Sequence, residues 1–389
     1  MARWLALARR IAVNLAIAAV SIVATVALFE VGAWFFAPEW TPKHGVRNFW
    51  AHHELLGWAH RPNASGTHYH RDFRVSVRTN EHGFRDRDYP VERVPGRQRM
   101  LFLGDSFGFG FGVERDEILT EIIEARHPDW EIINTAVAGW GTDQQLLFLR
   151  EIGSRFRPDV VLLLFHPNDV EDNNDRMRYG YYKPQFVLED GELELTQVPV
   201  RELNRDQKID RFLYQRTYAL HKLWNWRDVV DDWRDERARS REAERALAAA
   251  ADGAGAAAGT PDVAAAPASA EAEPAPPPNP CGNRKLDFAV SRALLRALDR
   301  EVRSLGAKLV VVSVPGGCPD PRDLLSELMP ELDVPYRPLN QAFHGLPREA
   351  YGFAHDPHWT ADGQRIAADA TEAFLQALGI LDAARGEGS

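Results

Sequence analysis

The 389-residue chain reads as a three-layer α/β/α sandwich on a parallel sheet, preceded by one transmembrane helix. Three observations predict this. Continuous apolar runs recur at 100–103, 131–139, 158–165 and 308–314, as expected of strands whose two faces are both covered by helices. Segments with helical spacing lie between and after them, around 118–126, 144–156, 289–302 and 361–378. Near the N-terminus, residues 11–29 are apolar except Asn14, Ser21 and Thr25, about the length that crosses a bilayer.

Taken in order, residues 1–10 carry Arg3, Arg9 and Arg10. The positive-inside rule assigns them to the cytoplasm, with the chain beyond the helix outside. Residues 11–36 are read as an uncleaved signal anchor. The alternative is a cleaved signal peptide, with Val31-Gly32-Ala33 as the cleavage site. The apolar run exceeds a typical signal h-region, and Trp34, Phe35 and Phe36 follow at interface depth, which favours the anchor. Glu30 falls where it reaches the headgroups.

Residues 37–97 form an extracytoplasmic lead segment. Phe73-Arg74-Val75-Ser76-Val77-Arg78 alternates apolar and polar residues, as a half-exposed strand does, and 79–86 reads as a turn. His68-Tyr69-His70 is read as a solvated face of a strand. The main domain spans 98–385, with an insertion at 171–286. Within the insertion, 179–186 is aromatic and basic, with Tyr181, Tyr182 and Lys183; it suits either a lid over substrate or a hydrophobic flap over the core. Residues 218–250 look helical. Residues 248–280 are rich in Ala and Pro without an aromatic residue. That composition cannot bury enough apolar surface to offset the entropy of ordering, so it reads as a disordered tether.

The formal charge is −10 and no basic stripe is visible, which argues against a nucleic-acid partner. The only cysteines are Cys281 and Cys318. Both fall in the exported part, so they are a candidate disulfide, although spacing alone fixes no geometry.

The chemistry is concentrated in two places. Gly104-Asp105-Ser106-Phe107-Gly108 follows the first apolar run, and Asp356-Pro357-His358-Trp359 precedes the last helical segment. A serine at the C-terminal edge of a strand lies where open α/β sheets bind ligands. It becomes a nucleophile when a base takes its proton, and the base needs an orienting carboxylate. His358 and Asp356 could supply both. The next two strands end near Gly139 and in His166-Pro167-Asn168-Asp169. If all strands are parallel, the Ser106 amide, the Gly139 amide and the Asn168 side chain share one edge, where they could hold an oxyanion. Gly141 competes with Gly139 for that place.

These four blocks, in this order, resemble the SGNH (GDSL) hydrolase superfamily over roughly residues 98 to 380. The resemblance implies a flavodoxin-like fold, with Ser106 as nucleophile, His358 as base, Asp356 as its partner, and Ser106, Gly139 and Asn168 as the oxyanion hole. Two departures stand out. The third block usually reads Gly-x-Asn-Asp, and His166 takes the glycine place here. The last usually reads Asp-x-x-His and is Asp-x-His here. That shorter spacing, with Trp359 and Gly363 after it, resembles members that acetylate bacterial exopolysaccharides, though the block order differs from theirs.

Rival readings fit less well. The G-x-S-x-G pattern of α/β-hydrolases is present, without the upstream glycine-rich loop that fold uses. The glycines at 104, 108, 110 and 112 miss the spacing of nucleotide loops. A metal site at His355, Asp356 and His358 lacks a further ligand at suitable spacing, so no metal or other cofactor is expected. The expected function is a serine ester hydrolase working through an acyl-enzyme on an ester or acylated carbohydrate. It would sit at a bacterial inner (plasma) membrane as a single-pass protein with the catalytic domain periplasmic. An O-acetyltransferase acting on a cell-envelope or exported polysaccharide is the first alternative. A catalytically silent carbohydrate-binding protein is the second.

Overall fold

A computed structural model of the chain describes residues 2–36, 45–209, 217, 288–316 and 321–382. Helix α1 (Ala2–Phe36) contains the span Arg9–Ala33, with a mean hydropathy of 2.4; it is long and apolar enough to cross a membrane. Next come two antiparallel hairpins. β1 (Trp50–His53) pairs with β2 (Gly57–His60), and β3 (Ser65–Tyr69) pairs with β4 (Arg74–Arg78).

The main domain begins with β5 (Gln98–Leu103), α2 (Ser106–Phe109), α3 (Leu119–Arg126), β6 (Trp130–Asn134), α4 (Thr142–Glu151), β7 (Val160–Phe165) and α5 (Asp169–Asp172). The described part of the insertion forms two small hairpins. One pairs β8 (Met177–Arg178) with β9 (Tyr181–Tyr182), and the other pairs β10 (Gln185–Glu189) with β11 (Glu192–Thr196). The domain resumes with α6 (Ala289–Ser304), β12 (Lys308–Ser313), α7 (Pro321–Glu331), β13 (Tyr336–Pro338), α8 (Asn340–Phe343) and α9 (Ala361–Ala377).

The central sheet runs β13-β12-β7-β5-β6, and every neighbouring pair is parallel. Numbered along the chain this is the doubly wound order 2-1-3-4-5, whose switch point falls between β5 and β7. The path steps outward from β5 to β6 and then back past β5 to β7. Right-handed crossovers therefore place α3 and α4 on opposite faces. α3 packs on α9, and α4 on α6, which completes three layers. All residues of β6 and β7 are buried, the reason β7 reads as an unbroken apolar run; in β6 the buried Glu131 pairs with Arg99. In α6, Val290, Leu294, Leu298 and Val302 recur at helical spacing and are buried.

Several expectations change in detail. The second strand ends at Asn134, and residues 135–137 continue it through Thr135 N–H to Phe102 O and Val137 N–H to Gly104 O. The helical segment expected around 144–156 stops at Glu151, and a 3₁₀ turn covers Gly153–Phe156. His68 is not solvated. It is only 3 % exposed, on the inward face of its hairpin with Val75 and Val77, edge-on to Phe73 and Phe111. The aromatic part of the insertion lies largely on the core. Lys183 and Phe186 are buried, and Tyr181 packs on Trp50 and Trp58. The helix and tether expected over 218–280, together with Cys281 and Cys318, lie outside the described residues.

Candidate active site

Ser106 stands where β5 stops and α2 begins. Asp105 caps the short helix, its Oδ1 accepting the Phe107 N–H at 2.9 Å. The turn is tight because Gly108 has no side chain. A Cβ there would lie 2.5 Å from the Phe102 ring and 2.9 Å from Ala136. The buried Arg85 of the lead segment donates to the carbonyls of Phe109, Gly110 and Val113, and to Ser76 of β4. The lead segment thus holds the far end of the Ser106 turn.

Asp356 and His358 come from the loop before α9. His358 Nε2 lies 2.7 Å from Ser106 Oγ, and His358 Nδ1 lies 2.6 Å from Asp356 Oδ1, which also accepts the His358 N–H at 2.9 Å. The imidazole is wedged between aromatic rings, stacked on Phe111 at 4.1 Å and tilted to Phe107 at 4.8 Å. Arg348 donates to the carbonyls of Asp356 and Pro357, and Asp72 bonds both the His355 ring and its N–H. Thr360 caps α9. Gln364 of α9 is buried and spans to the Ser106 turn, donating to Phe107 O and accepting the Leu119 N–H. Ser106 and His358 are therefore tied together by more than their own hydrogen bond.

Gly139 and Asn168 lie in the loops that follow β6 and β7, the strands on either side of β5. Gly139 sits at φ +83° in the turn closed by Trp140 N–H to Val137 O, a conformation that favours glycine. Two indoles fix this turn to the lead segment: Trp58 Nε1 donates to Ala138 O, and Trp140 Nε1 donates to Trp58 O. The Gly141 N–H is engaged by Gln144 Oε1 at 3.4 Å. Among the described residues, no acceptor takes the Ser106 N–H, the Gly139 N–H or the Asn168 Nδ2. Three donors are thus unspent at the edge where the serine hydroxyl lies.

No family model and no curated protein matches the chain. Among solved structures it is similar to TesA, at 10% identity over 72% of this chain and 99% of the other, with a TM-score of 0.38. It is also similar to a catalytic mutant of Axe2, an acetylxylan esterase from Geobacillus stearothermophilus, at 13% identity over 74% and 97%, TM-score 0.36. A third is the lipase/acylhydrolase from Enterococcus faecalis, at 11% identity over 72% and 96%, TM-score 0.37.

The electrostatics differ from residue to residue. Burial works against the charge of Asp356, but the hydrogen bond and charge of His358 outweigh it and hold the carboxyl below its ordinary value. Burial pushes Asp172 up to about 7, against Arg178 and Lys183. Burial, reinforced by the charge of Asp105, raises Asp169 well above the carboxylate range. These acids stand behind the site. Asp169 accepts from Thr142 Oγ1, and Lys183 bonds Asp143 Oδ2 and the Asp172 carbonyl. A cavity of about 310 Å³ opens beside the acid loop, lined by Arg348, Phe353, His355 and Asp356 among others. A larger one of about 770 Å³, beside Gln98, Trp130 and Lys308, lies at the opposite edge of the sheet, away from the strand ends where such folds bind ligands.

The sequence reading did not single out Arg85, Asp72, Arg348 or Gln364. Their partners are distant in the chain, so no local pattern marks them. His166 was visible, as the residue standing in a glycine's place.

Proposed function

We propose that this chain is a serine ester hydrolase that acts through an acyl-enzyme on an ester or O-acyl substrate outside the cytoplasm. The observation that carries the reading is the hydrogen-bonded chain from Ser106 Oγ through His358 to Asp356, at the switch point of a doubly wound sheet. In this account His358 Nε2 takes the Ser106 proton as Oγ bonds to the acyl carbon. The carbonyl electron pair moves onto oxygen. The unspent donors of Ser106, Gly139 and Asn168 would receive that charge, and the free state of the Gly139 N–H favours it over Gly141. The intermediate collapses by expelling the alkoxide, which takes the proton from His358. Water then repeats the sequence: His358 removes its proton, oxygen adds to the acyl carbon, and Ser106 leaves with the proton returned. Asp356 holds the ring in the tautomer that leaves Nε2 free to accept.

The arginines at the N-terminal end of the apolar helix, Arg3, Arg9 and Arg10, support an orientation with the N-terminus in the cytoplasm and the site outside it. A fluorophosphonate probe tests the chemistry. The full-length chain should be labelled on Ser106, and both Ser106→Ala and His358→Ala should abolish labelling. Labelling at another residue, or undiminished labelling in folded Ser106→Ala, would remove the mechanism.

A further inference from the structure

His166 occupies the place where the resembling family has glycine. Its Nδ1 lies 2.5 Å from Asn168 Oδ1, and 3.2 Å from the Asn168 N–H. Asp105 Oδ2 lies 3.6 Å from the same nitrogen. That oxygen is buried and has no hydrogen-bond partner. The imidazole ring stacks on Phe107 at 4.7 Å and 23°, so it has little freedom to swing away. We propose that His166 is a positioning residue that sets which way the Asn168 amide faces, and that Asp105 selects the tautomer that does so.

The chemistry follows from what each tautomer can do. With the proton on Nδ1, the ring donates to Asn168 Oδ1. The amide then turns its Nδ2–H toward the site, where an oxyanion forms. With the proton on Nε2, the Nδ1 lone pair accepts instead. It takes the Asn168 N–H and, after the amide flips, the amide NH₂. A carbonyl oxygen would then face a developing negative charge, and the site would repel what it should bind. The Asp105 carboxylate next to Nδ1 attracts the proton to that nitrogen. Burial keeps the ring neutral, lowering its pKa against the pull of Asp105, with His358 and Arg178 acting in the same sense as burial. Asp105 and Asn168 thus meet the same His166 nitrogen, Asn168 by a hydrogen bond and Asp105 through its charge at 3.6 Å. This group orients the oxyanion donor as Asp356 and His358 orient the nucleophile. A glycine at 166 could not do this, because it brings no donor to Asn168.

This inference rests on the reading of Asn168 as an oxyanion donor, and a double-mutant cycle separates the two. The full-length chain is assayed with p-nitrophenyl acetate, and kcat and KM are measured for His166→Phe, Asn168→Ala and the double variant. Asn168→Ala should lower kcat by ~10²–10³, the scale of one oxyanion donor. His166→Phe keeps the stacking bulk without the N–H. It should lower kcat at least ~10-fold, part of that same donor's contribution, with KM within ~3-fold of the parent. The double variant should be no slower than Asn168→Ala, because His166 acts only through Asn168. His166→Asn, whose amide N–H replaces Nδ1–H, should restore kcat to within ~3-fold of the parent.

An unchanged kcat in folded His166→Phe, or losses that multiply in the double variant, would overturn this inference alone. An Asn168→Ala variant with parental kcat would overturn the oxyanion reading, and this inference with it. Should His166→Phe fail to fold, Asp105→Asn carries the same cycle. It keeps the acceptor that caps α2 and removes the charge beside Nδ1. Its loss of kcat should vanish on the Asn168→Ala background; a multiplying loss, or none, overturns the proposal.

Discussion

At the scale of residues, the account depends on one proton moving between Ser106 and His358, 2.7 Å apart. Removing either partner leaves only the oxyanion donors and substrate binding. Ser106→Ala and His358→Ala should each lower turnover of a small ester by ~10³-fold or more, with the circular dichroism spectrum unchanged. A folded Ser106→Ala variant of parental activity would refute the assignment. Asn168→Ala should lower kcat by ~10²–10³ and leave KM nearly alone, since an oxyanion forms only in the reaction. A defect confined to KM would make Asn168 a ground-state contact. Ser106, Asp356 and His358 were legible in the sequence because nucleophilic catalysis needs those residue types, and two of them sit in one short block. Their meeting is a fact of the fold. His68 was misread because an alternating strand does not say which of its faces is covered; Phe73 and Phe111 cover this one.

At the scale of elements, what matters is how α2 and α9 are held at a fixed separation. Gln364 of α9 bonds Phe107 O of α2 and the Leu119 N–H of α3, all buried. Gln364→Leu leaves the buried Leu119 N–H without a partner and Phe107 O with only the Gly110 N–H, which should cost about 1–3 kcal/mol in urea unfolding. It should also lower kcat, because the base then drifts from Ser106. Unchanged stability would show that α9 is held by its apolar face alone. At the start of β5, the buried Arg99 pairs with Glu131 at 2.7 Å and donates to four carbonyls, those of Pro90, Val91, Glu92 and Phe156. Arg99→Met should destabilise by about 3–5 kcal/mol, since it strands a buried carboxylate; a loss under about 1 kcal/mol would mean that water reaches Glu131. The long strands and helices were legible from apolar runs and helical spacing. The hairpin β1–β2 and the edge strand β13 were not, because three or four residues hold too little pattern to separate a strand from a loop.

At the scale of the whole molecule, the lead segment is built into the site. Arg85 holds the nucleophile turn, Trp58 the Gly139 turn and Asp72 the acid loop. The sequence of this segment shows a strand and a turn and gives no sign of these three bonds, which join residues far apart in the chain. The same segment makes the fold sensitive to acid. Burial, with the charge of Arg85 second, lowers His60 to about 3, and His68 likewise. Unfolded histidine titrates near ~6.5. Between these values the unfolded chain binds more protons than the folded one. The stabilising contribution of each neutral histidine is therefore complete above ~6.5 and is lost as pH falls toward about 3, at ~1.4 kcal/mol per pH unit. Asp172 acts in the opposite sense, since its raised value favours the fold at low pH and is lost as pH rises through about 7. The effect is accordingly read as a difference between proteins. His60→Phe should gain stability relative to the parent as pH drops from 6.5 to 4.5 in urea titrations. Parallel stability curves over that range would mean that His60 is not held neutral.

The central claim is that an acyl group passes through Ser106. The most direct measurement is intact-protein mass spectrometry of the full-length chain, quenched in acid shortly after mixing with p-nitrophenyl acetate, followed by peptide mapping. The account predicts a mass gain of one acetyl group, located on Ser106, that decays as acetate is released and is missing from Ser106→Ala. Turnover of the ester with no acetyl on Ser106 at any time, or an adduct located on another side chain, would contradict it.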